Sequence, residues 1–415
     1  MKFSDTPGRL IVLMCGAEVL SMTGFAIFPA LLPGFMDEWQ LSATDAGWIN
    51  GIFYAGYLIS VLMLVSLTDR RASKDIYLVS MVLSCVSALG YGLFAEGFWS
   101  AMLFRTLAGV GLAGTYMPGL KLLNDRLDVI RPDQDHSRAI AFYTSSFGIG
   151  AAFSYYFSGV ASEWTHWSVV FVLSAIGPVL AFFVISFLMP RDQSSVFDQP
   201  DTHLLDFRPV LKSRQVMGYV MAYAVHNFEL FAFRSWMVVY LTYVAMAASG
   251  PGIWLAATSW AAINNIIGLP ASLLGNEAAR RFGRRRVITI VMLISAVVSL
   301  SLGLVVDMDS RLVMVLVIVY AVTVPGDSSS ITAGAIAAAP KGYRGQTMAV
   351  HSSIGFIGSF AGPLLFGVAL DAGAVSGVGG ASPQSWLTAF LFLAVVVALG
   401  PLVLLGVKNQ LRVRE

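Results

Sequence analysis

Charge is scarce in this sequence. Of 415 residues only 12% are Asp, Glu, Lys or Arg while 57% are apolar, and the mean hydropathy is +0.74. Soluble domains carry about a quarter of their residues as charged groups, so a string of water-exposed domains is excluded. Cysteine is nearly missing: Cys15 and Cys85 both sit in apolar runs, which argues against a disulfide framework, a metal centre or a redox role. No Gly-x4-Gly-Lys-Ser/Thr loop, nucleophile triad or metal-ligating cluster occurs. The chain is therefore not expected to hydrolyse ATP, to act as an enzyme or to hold a cofactor. A net charge of +2 gives no support to nucleic-acid binding.

Long apolar runs are what the sequence does have. A spanning helix needs about 20 apolar residues to cross about 30 Å of hydrocarbon. Six such runs lie near 10–32, 46–68, 76–95, 98–122, 138–161 and 167–189, and six more near 216–245, 253–275, 287–306, 311–335, 346–369 and 386–407. Between them the stretch from Pro190 to Arg214 is polar and mixed in charge, as a surface linker would be. The expected fold is an all-α membrane protein of twelve transmembrane helices. Its N-terminal six-helix bundle covers 1–189, its cytoplasmic linker 190–214 and its C-terminal six-helix bundle 215–415. Lys2 and Arg9 precede the first run as in a signal peptide, but no cleavage site follows, so a retained helix is expected.

The basic residues give an orientation, because Lys and Arg beside spanning helices stay in the cytoplasm. Clusters at Arg70 and Arg71, at Lys121 to Arg138, at Arg191 to Arg214, at Arg280 to Arg286 and at Lys408 to Arg414 fall at alternate helix ends. The opposite ends carry acids such as Asp37, Glu96, Glu163 and Asp371, with Arg311 as the single basic exception. Both termini are then cytoplasmic, in a membrane expected to be the bacterial inner membrane. Trp39, Trp99, Trp164, Trp167 and Trp386 fit an interfacial belt at the outer ends.

The two halves echo each other. The offset that carries Glu18 in the first helix onto Glu229 in the seventh also carries Asp69 onto Arg280, each in a basic loop. Duplicated halves are a common plan for secondary transporters. In helix four, Arg105 is followed by the closely spaced glycines Gly109, Gly111 and Gly114. After helix two come Leu67, Asp69, Arg70 and Lys74, and in the second half Gly283, Arg284 and Arg285. These stretches, in a six-plus-six plan, resemble the major facilitator superfamily. The resemblance implies two pseudo-symmetric six-helix bundles flanking a central cavity. It also implies a cytoplasmic gate built from Asp69, Arg70, Arg71, Arg280, Arg284 and Arg285, for which the alternative reading is solvated turns obeying the charge bias. Helix five has Gly148 and Gly150 but lacks the Gly-Pro signature of many drug-proton antiporters of that family.

An ionisable residue in the bilayer costs at least about 2.5 to 3.5 kcal/mol on insertion scales, so it is expected to face a cavity or a partner. Candidates for substrate binding or coupling are Glu18, Arg105, His226, Glu229, Arg234 and Asp327. Glu18 and Arg105 are expected to interact in at least one state. His226 and Glu229 lie three apart on one helical face, as a proton-binding pair would; an internal hydrogen bond that fixes packing is the alternative. Arg234 could receive an anion or hold an outer gate. Asp327 follows Pro325 and Gly326, an irregular stretch that could bind a proton, an ion or substrate, or serve as a hinge. Asn50, Tyr54, Asn264 and Asn265 are candidates for the cavity lining, with helix packing as the alternative for each.

The expected function is secondary active transport by alternating access: uptake of a small organic anion coupled to protons, by a monomer in the lipid bilayer. Proton-driven efflux of amphipathic compounds or drugs is the alternative, and a transporter-like solute receptor a remote one.

Overall fold

In hydrocarbon every backbone amide and carbonyl must find its partner within the protein, which leaves the helix as the default for an apolar chain of this kind. The computed structural model describes residues 6–68, 71–132, 134, 136–190, 206–247, 249–250, 252–374 and 381–407. Asp69, Arg70 and most of the expected linker lie outside the described residues.

The helices are α1 (Pro7–Ser21), α2 (Ile27–Ala30), α3 (Leu32–Glu38), α4 (Ala43–Leu67), α5 (Ser73–Phe94), α6 (Phe98–Ile130), α7 (Ser137–Ser162), α8 (Trp167–Ser174) and α9 (Ile176–Leu188). Then follow α10 (Arg208–Lys212), α11 (Arg214–Ala247), α12 (Ala257–Phe282), α13 (Arg284–Leu304) and α14 (Ser310–Thr323). A 3-10 turn (Val324–Asp327) leads into α15 (Ser328–Ala338), α16 (Arg344–Ala372) and α17 (Pro383–Val403). Joining α1 to α3, α8 to α9 and α14 to α15 across their breaks, and setting short α10 aside, these segments trace the twelve expected helices. Eight spans among the described residues are long and apolar enough to cross a membrane by length and composition alone. Helices α6, α7 and α12 are as long but carry more serine, tyrosine, glycine and charge.

The first expected helix is broken. It unwinds after Ser21, where α7 supplies partners for the freed backbone: Ala26 N donates to Ser154 Oγ at 2.9 Å and Ser154 Oγ donates to Thr23 O at 2.7 Å, while the Thr23 side chain donates through Oγ1 to Ser174 O at 2.6 Å. Non-helical backbone at membrane depth is tolerated where protein satisfies it in this way.

The chain forms two compact units. One comprises Met1–Leu31 with Ile52–Gln199, the other Leu32–Gly51 with Pro200–Glu415. The first unit has a core of Leu10, Met14, Tyr77, Leu123, Tyr143 and Ile185, drawn from five helices. Within it α4 and α6 touch backbone to backbone, and a Cβ at Gly109 would run into the carbonyl of Phe53. Small residues permit such approach where no hydrophobic force between helices exists. In the second unit Trp236 Nε1 donates to Pro363 O at 2.9 Å, tying α11 to α16.

Apolar side chains such as Val12, Met63, Leu274 and Phe187 point outward, as a lipid-facing surface requires. Trp99 and Trp164 are 81% and 82% exposed, in keeping with an interfacial belt. Trp386 is not part of it. The residue is fully buried, edge-on to Tyr240 at 5.1 Å and beside Phe390, because its position on α17 faces the helices of its own unit.

Candidate functional site

Each unit buries its own ionisable group or groups, so the candidate site is described in two parts. In the first unit Glu18, on α1, is fully buried and accepts a hydrogen bond from Tyr143 Oη of α7 at 3.1 Å; among the described residues its Oε1 has no partner. Arg105, on α6, is buried too. Its Nη1 donates to Phe25 O at 3.2 Å, a carbonyl released by the unwound stretch after α1. The guanidinium carbon lies 4.5 Å from the centre of the Phe53 ring and 5.7 Å from that of Phe28, within the range of cation–π attraction. Among the described residues no ion pair joins Glu18 to Arg105, because Tyr143 takes the carboxylate and the Phe25 carbonyl takes the cation.

A cavity opens beside Arg105, within this unit alone. Its wall includes Arg105, Phe25, Phe53, Tyr91 and Phe104, with Ser21, Ser84, Ser87 and Ser174 among the rings. The break after α1 supplies Met22, Gly24 and Phe25 to the same wall. No sequence signal marked the cavity. Its serines come from three helices, Ser21 of α1, Ser84 and Ser87 of α5 and Ser174 of α8, and only packing brings the three helices together.

In the second unit the ionisable groups come from α11 and from the 3-10 turn. Glu229 Oε1 accepts from Ser295 Oγ of α13 at 2.7 Å and from Tyr320 Oη of α14 at 2.7 Å. His226, one turn earlier on α11, is paired elsewhere. Its Nδ1 lies 2.8 Å from Asp327 Oδ1, with both side chains buried. The approach is as short as an ion pair, yet not aligned as a hydrogen bond. Sharing one helical face with Glu229 therefore did not settle which carboxylate His226 meets. The tight 3-10 turn around Pro325 and Gly326 carries Asp327 to α11.

Tyr223 extends this cluster. Its ring stacks on His351 of α16 at 3.9 Å and faces His226 at 5.8 Å, and His351 Nε2 lies 3.2 Å from Thr332 Oγ1 of α15. Tyr223, Ser295 and Tyr320 were not foreseen as site residues. Tyr223 could have been, since it stands three residues before His226 on one face; Ser295 and Tyr320 carry no such local signal. Both units thus hold a glutamate bonded by a tyrosine hydroxyl, at the two positions that the sequence echo relates.

The remaining candidates are more dispersed. Arg234 lies over the Phe231 ring of its own helix at 5.5 Å. Asn50 and Asn265 donate to the carbonyls of Ala46 and Ala261 one turn back, at 3.2 and 2.9 Å, so each is engaged within its own helix. Asn264 is partly exposed, and Tyr54 packs edge-on against Phe53. Of the basic loop residues, Arg71 is exposed and Arg280 pairs with Glu277 on its own helix at 3.0 Å. Arg284 Nη1 donates to Asn276 Oδ1 and Ser330 O, and Arg285 Nη1 to Val407 O.

The glycine next to this turn has a structural duty. A Cβ at Gly275 of α12 would meet the carbonyl of Gly326, so the helix can lie against the turn that holds Asp327 only without a side chain there. Ser272, one turn earlier, bonds Ser329 at 2.6 Å and ties α12 to the start of α15.

Comparison with known proteins places this architecture. The structure resembles a bacterial homologue of the human lysosomal transporter Spinster, in an inward-facing and occupied conformation, with a TM-score of 0.72 at 15% identity over 96% of this chain and 94% of that one. It resembles the nucleoside transporter NupG with a TM-score of 0.76 at 14% identity over 96% of this chain and 100% of that one. At such identities the likeness is one of fold. In sequence the chain is 22% identical to an uncharacterized MFS-type transporter of Enterobacter sp. (strain 638) over 250 residues, 60% of this chain and 62% of the relative. It is 23% identical to the uncharacterized MFS-type transporter YcaD of Salmonella enteritidis over 251 residues, again 60% and 62%. These matches span less than two thirds of the relatives' length. The sequence model of the Major Facilitator Superfamily covers residues 14–363. With that match over most of its length, and a helix count consistent with it, the chain belongs to the Major Facilitator Superfamily.

Proposed function

We propose that this protein is a secondary active transporter that takes up a small organic anion together with protons, by alternating access, in the bacterial inner membrane with both termini cytoplasmic. The observation that carries this reading is the buried cluster of the second unit, where His226 and Asp327 lie 2.8 Å apart one helical turn from Glu229. Ionisable side chains inside a membrane are costly and mark ion and proton pathways, and carboxylate and imidazole groups of this kind are the parts of proton relays. Arg105 supports the anion half of the reading, since it is a buried cation beside a cavity. Arg71, Arg280, Arg284 and Arg285 are assigned to a cytoplasmic gate, with Asp69 and Arg70. The bundles are assigned to 1–189 and 215–415, with 190–214 linking them.

The test is uptake into proteoliposomes of a panel of radiolabelled carboxylates and lipophilic cations, with and without an imposed pH gradient. Accumulation of carboxylates driven by inward proton flow supports the reading. Movement of lipophilic cations against that flow would establish efflux instead, the reading that the aromatic wall of the cavity favours.

A further inference from the structure

The guanidinium of Arg105 has one part in use and one edge without an acceptor among the described residues. Nη1 is committed to the Phe25 carbonyl, and the guanidinium carbon lies over the rings of Phe53 and Phe28. Among the described residues neither Nε nor Nη2 has a hydrogen-bond partner, and no carboxylate pairs with the group. Nε is buried, so water does not stand in for the missing acceptor at the surface. A buried guanidinium without a counter-charge is a costly arrangement, and it lies in the wall of a cavity. The edge that is left, Nε with Nη2, is a fork of two parallel donors whose spacing matches the two oxygens of a carboxylate.

The rest of the wall narrows the class of ligand. Ser21, Ser87 and Ser174 each give their single hydroxyl proton to a backbone carbonyl, of Glu18, Phe104 and Phe171 respectively. A hydroxyl has one proton to donate, so towards the cavity these three serines present lone pairs, and of the wall's serines Ser84 alone keeps a proton free to donate among the described residues. Lone pairs repel a second anionic group and the additional oxygens of a phosphate. Phe25, Phe53, Tyr91, Phe104 and Phe171 supply ring surface around them. The apolar part of a ligand gains from contact with such rings, in faces and edges alike.

We infer that this cavity is a site for an aromatic monocarboxylate, held by its carboxylate on the Nε and Nη2 edge of Arg105 with its ring among the aromatic side chains. The inference rests on the anion reading above and names the class and the contact. Arg105 binds the ligand directly. Tyr91 and the phenylalanines decide which bodies fit behind the carboxylate.

The test is isothermal titration of the purified full-length chain in lipid nanodiscs with benzoate, benzamide and inorganic phosphate. Benzoate is expected to bind, with benzamide and phosphate at least about tenfold weaker, because neither combines one planar pair of anionic oxygens with a ring. Arg105→Lys keeps the charge and loses the fork, and should weaken benzoate about tenfold or more. Ala108→Leu, which fills the cavity from its wall, should weaken it as well. Absence of benzoate binding, equal binding of benzamide or phosphate, or an undiminished affinity in Arg105→Lys would overturn the inference. Should Arg105→Lys fail to fold, the ranking of the three compounds on the unaltered chain decides. The two readings fail separately. Proton-driven uptake of other carboxylates without benzoate binding removes the ligand class and leaves the transport reading standing. Benzoate bound through Arg105 with no carboxylate accumulation under a pH gradient removes proton-coupled uptake and leaves the site.

Discussion

His226 Nδ1 of α11 and Asp327 Oδ1 of the 3-10 turn lie 2.8 Å apart, with 1% and 4% of their side chains exposed. They join a long continuous helix to the point where another helix is interrupted. Breaking one side of a buried pair leaves the other charge without compensation, at a cost of about 3 to 5 kcal/mol when both groups are ionised. Asp327→Asn is therefore expected to lower the melting temperature of the purified protein clearly, and His226→Gln to lower it as well. The double replacement should lose less than the sum of the two, by about 1 kcal/mol or more, as contacting residues do. Full additivity in a thermal-melt cycle would show that the two side chains are neighbours without being partners.

Glu229 offers a cleaner separation of coupling from folding. Its Oε1 accepts from Ser295 and Tyr320, and a glutamine can accept the same two hydrogen bonds without ever carrying a transferable proton. Glu229→Gln is expected to keep the fold and solute counterflow while losing gradient-driven accumulation about tenfold or more. Tyr320→Phe, in contrast, removes one donor from a buried acceptor and should cost about 1 to 3 kcal/mol of stability. Unchanged accumulation by Glu229→Gln in proteoliposomes would remove this carboxylate from the coupling role.

These pairings bear on how much of the molecule its sequence made legible. Twelve helices were readable, because hydropathy over about 20 residues is a local property. The break after Ser21 was not, since Ser154, which accepts from the freed amide of Ala26 and donates to the freed carbonyl of Thr23, lies well over a hundred residues away. The candidate residues of α11 were found from their chemistry, and helical spacing put His226 and Glu229 on one face. Which partner each would take depended on the 3-10 turn and on α13 and α14, and no periodicity within α11 encodes those. Trp386 shows the same limit. A tryptophan near a helix end fits the interface by composition, yet the face it occupies on α17 turns it inward against Tyr240.

The approach of α12 to the Asp327 turn predicts an asymmetry among glycines. Gly275→Ala places a Cβ against the carbonyl of Gly326 and should destabilise by about 1 to 3 kcal/mol, in the range of overpacked cores. Gly345, on the first turn of α16, has nothing within 4 Å of the same added atom. Gly345→Ala is expected to be neutral, or to stabilise by about 0.4 to 1 kcal/mol through the reduced freedom of the unfolded chain. Parallel melts of the two variants test the close approach directly, and equal melting temperatures would contradict it.

The start of α4 gives the last prediction. A helix leaves its first amides without partners, and here they are met from two directions. Ser42 and Asp45 form a reciprocal box in which Asp45 N donates to Ser42 Oγ at 3.0 Å and Ser42 N to Asp45 Oδ2 at 3.1 Å. The amides of Ala43 and Thr44 instead donate to the two oxygens of Asp371, at 3.1 and 2.7 Å, and Thr44 Oγ1 adds a third bond at 2.6 Å. Asp371 closes α16, so one carboxylate caps a helix remote in sequence. Removing a cap costs about 0.5 to 2 kcal/mol, and Asp371→Ala should lower the melting temperature by an amount in that range. Asp371→Asn keeps one acceptor oxygen and should recover part of the loss. Thr44→Val deletes the hydroxyl bond alone, leaves both amides capped, and should cost less than Asp371→Ala. If Thr44→Val proved the more damaging of the two, the hydroxyl and not the helix start would be what Asp371 holds.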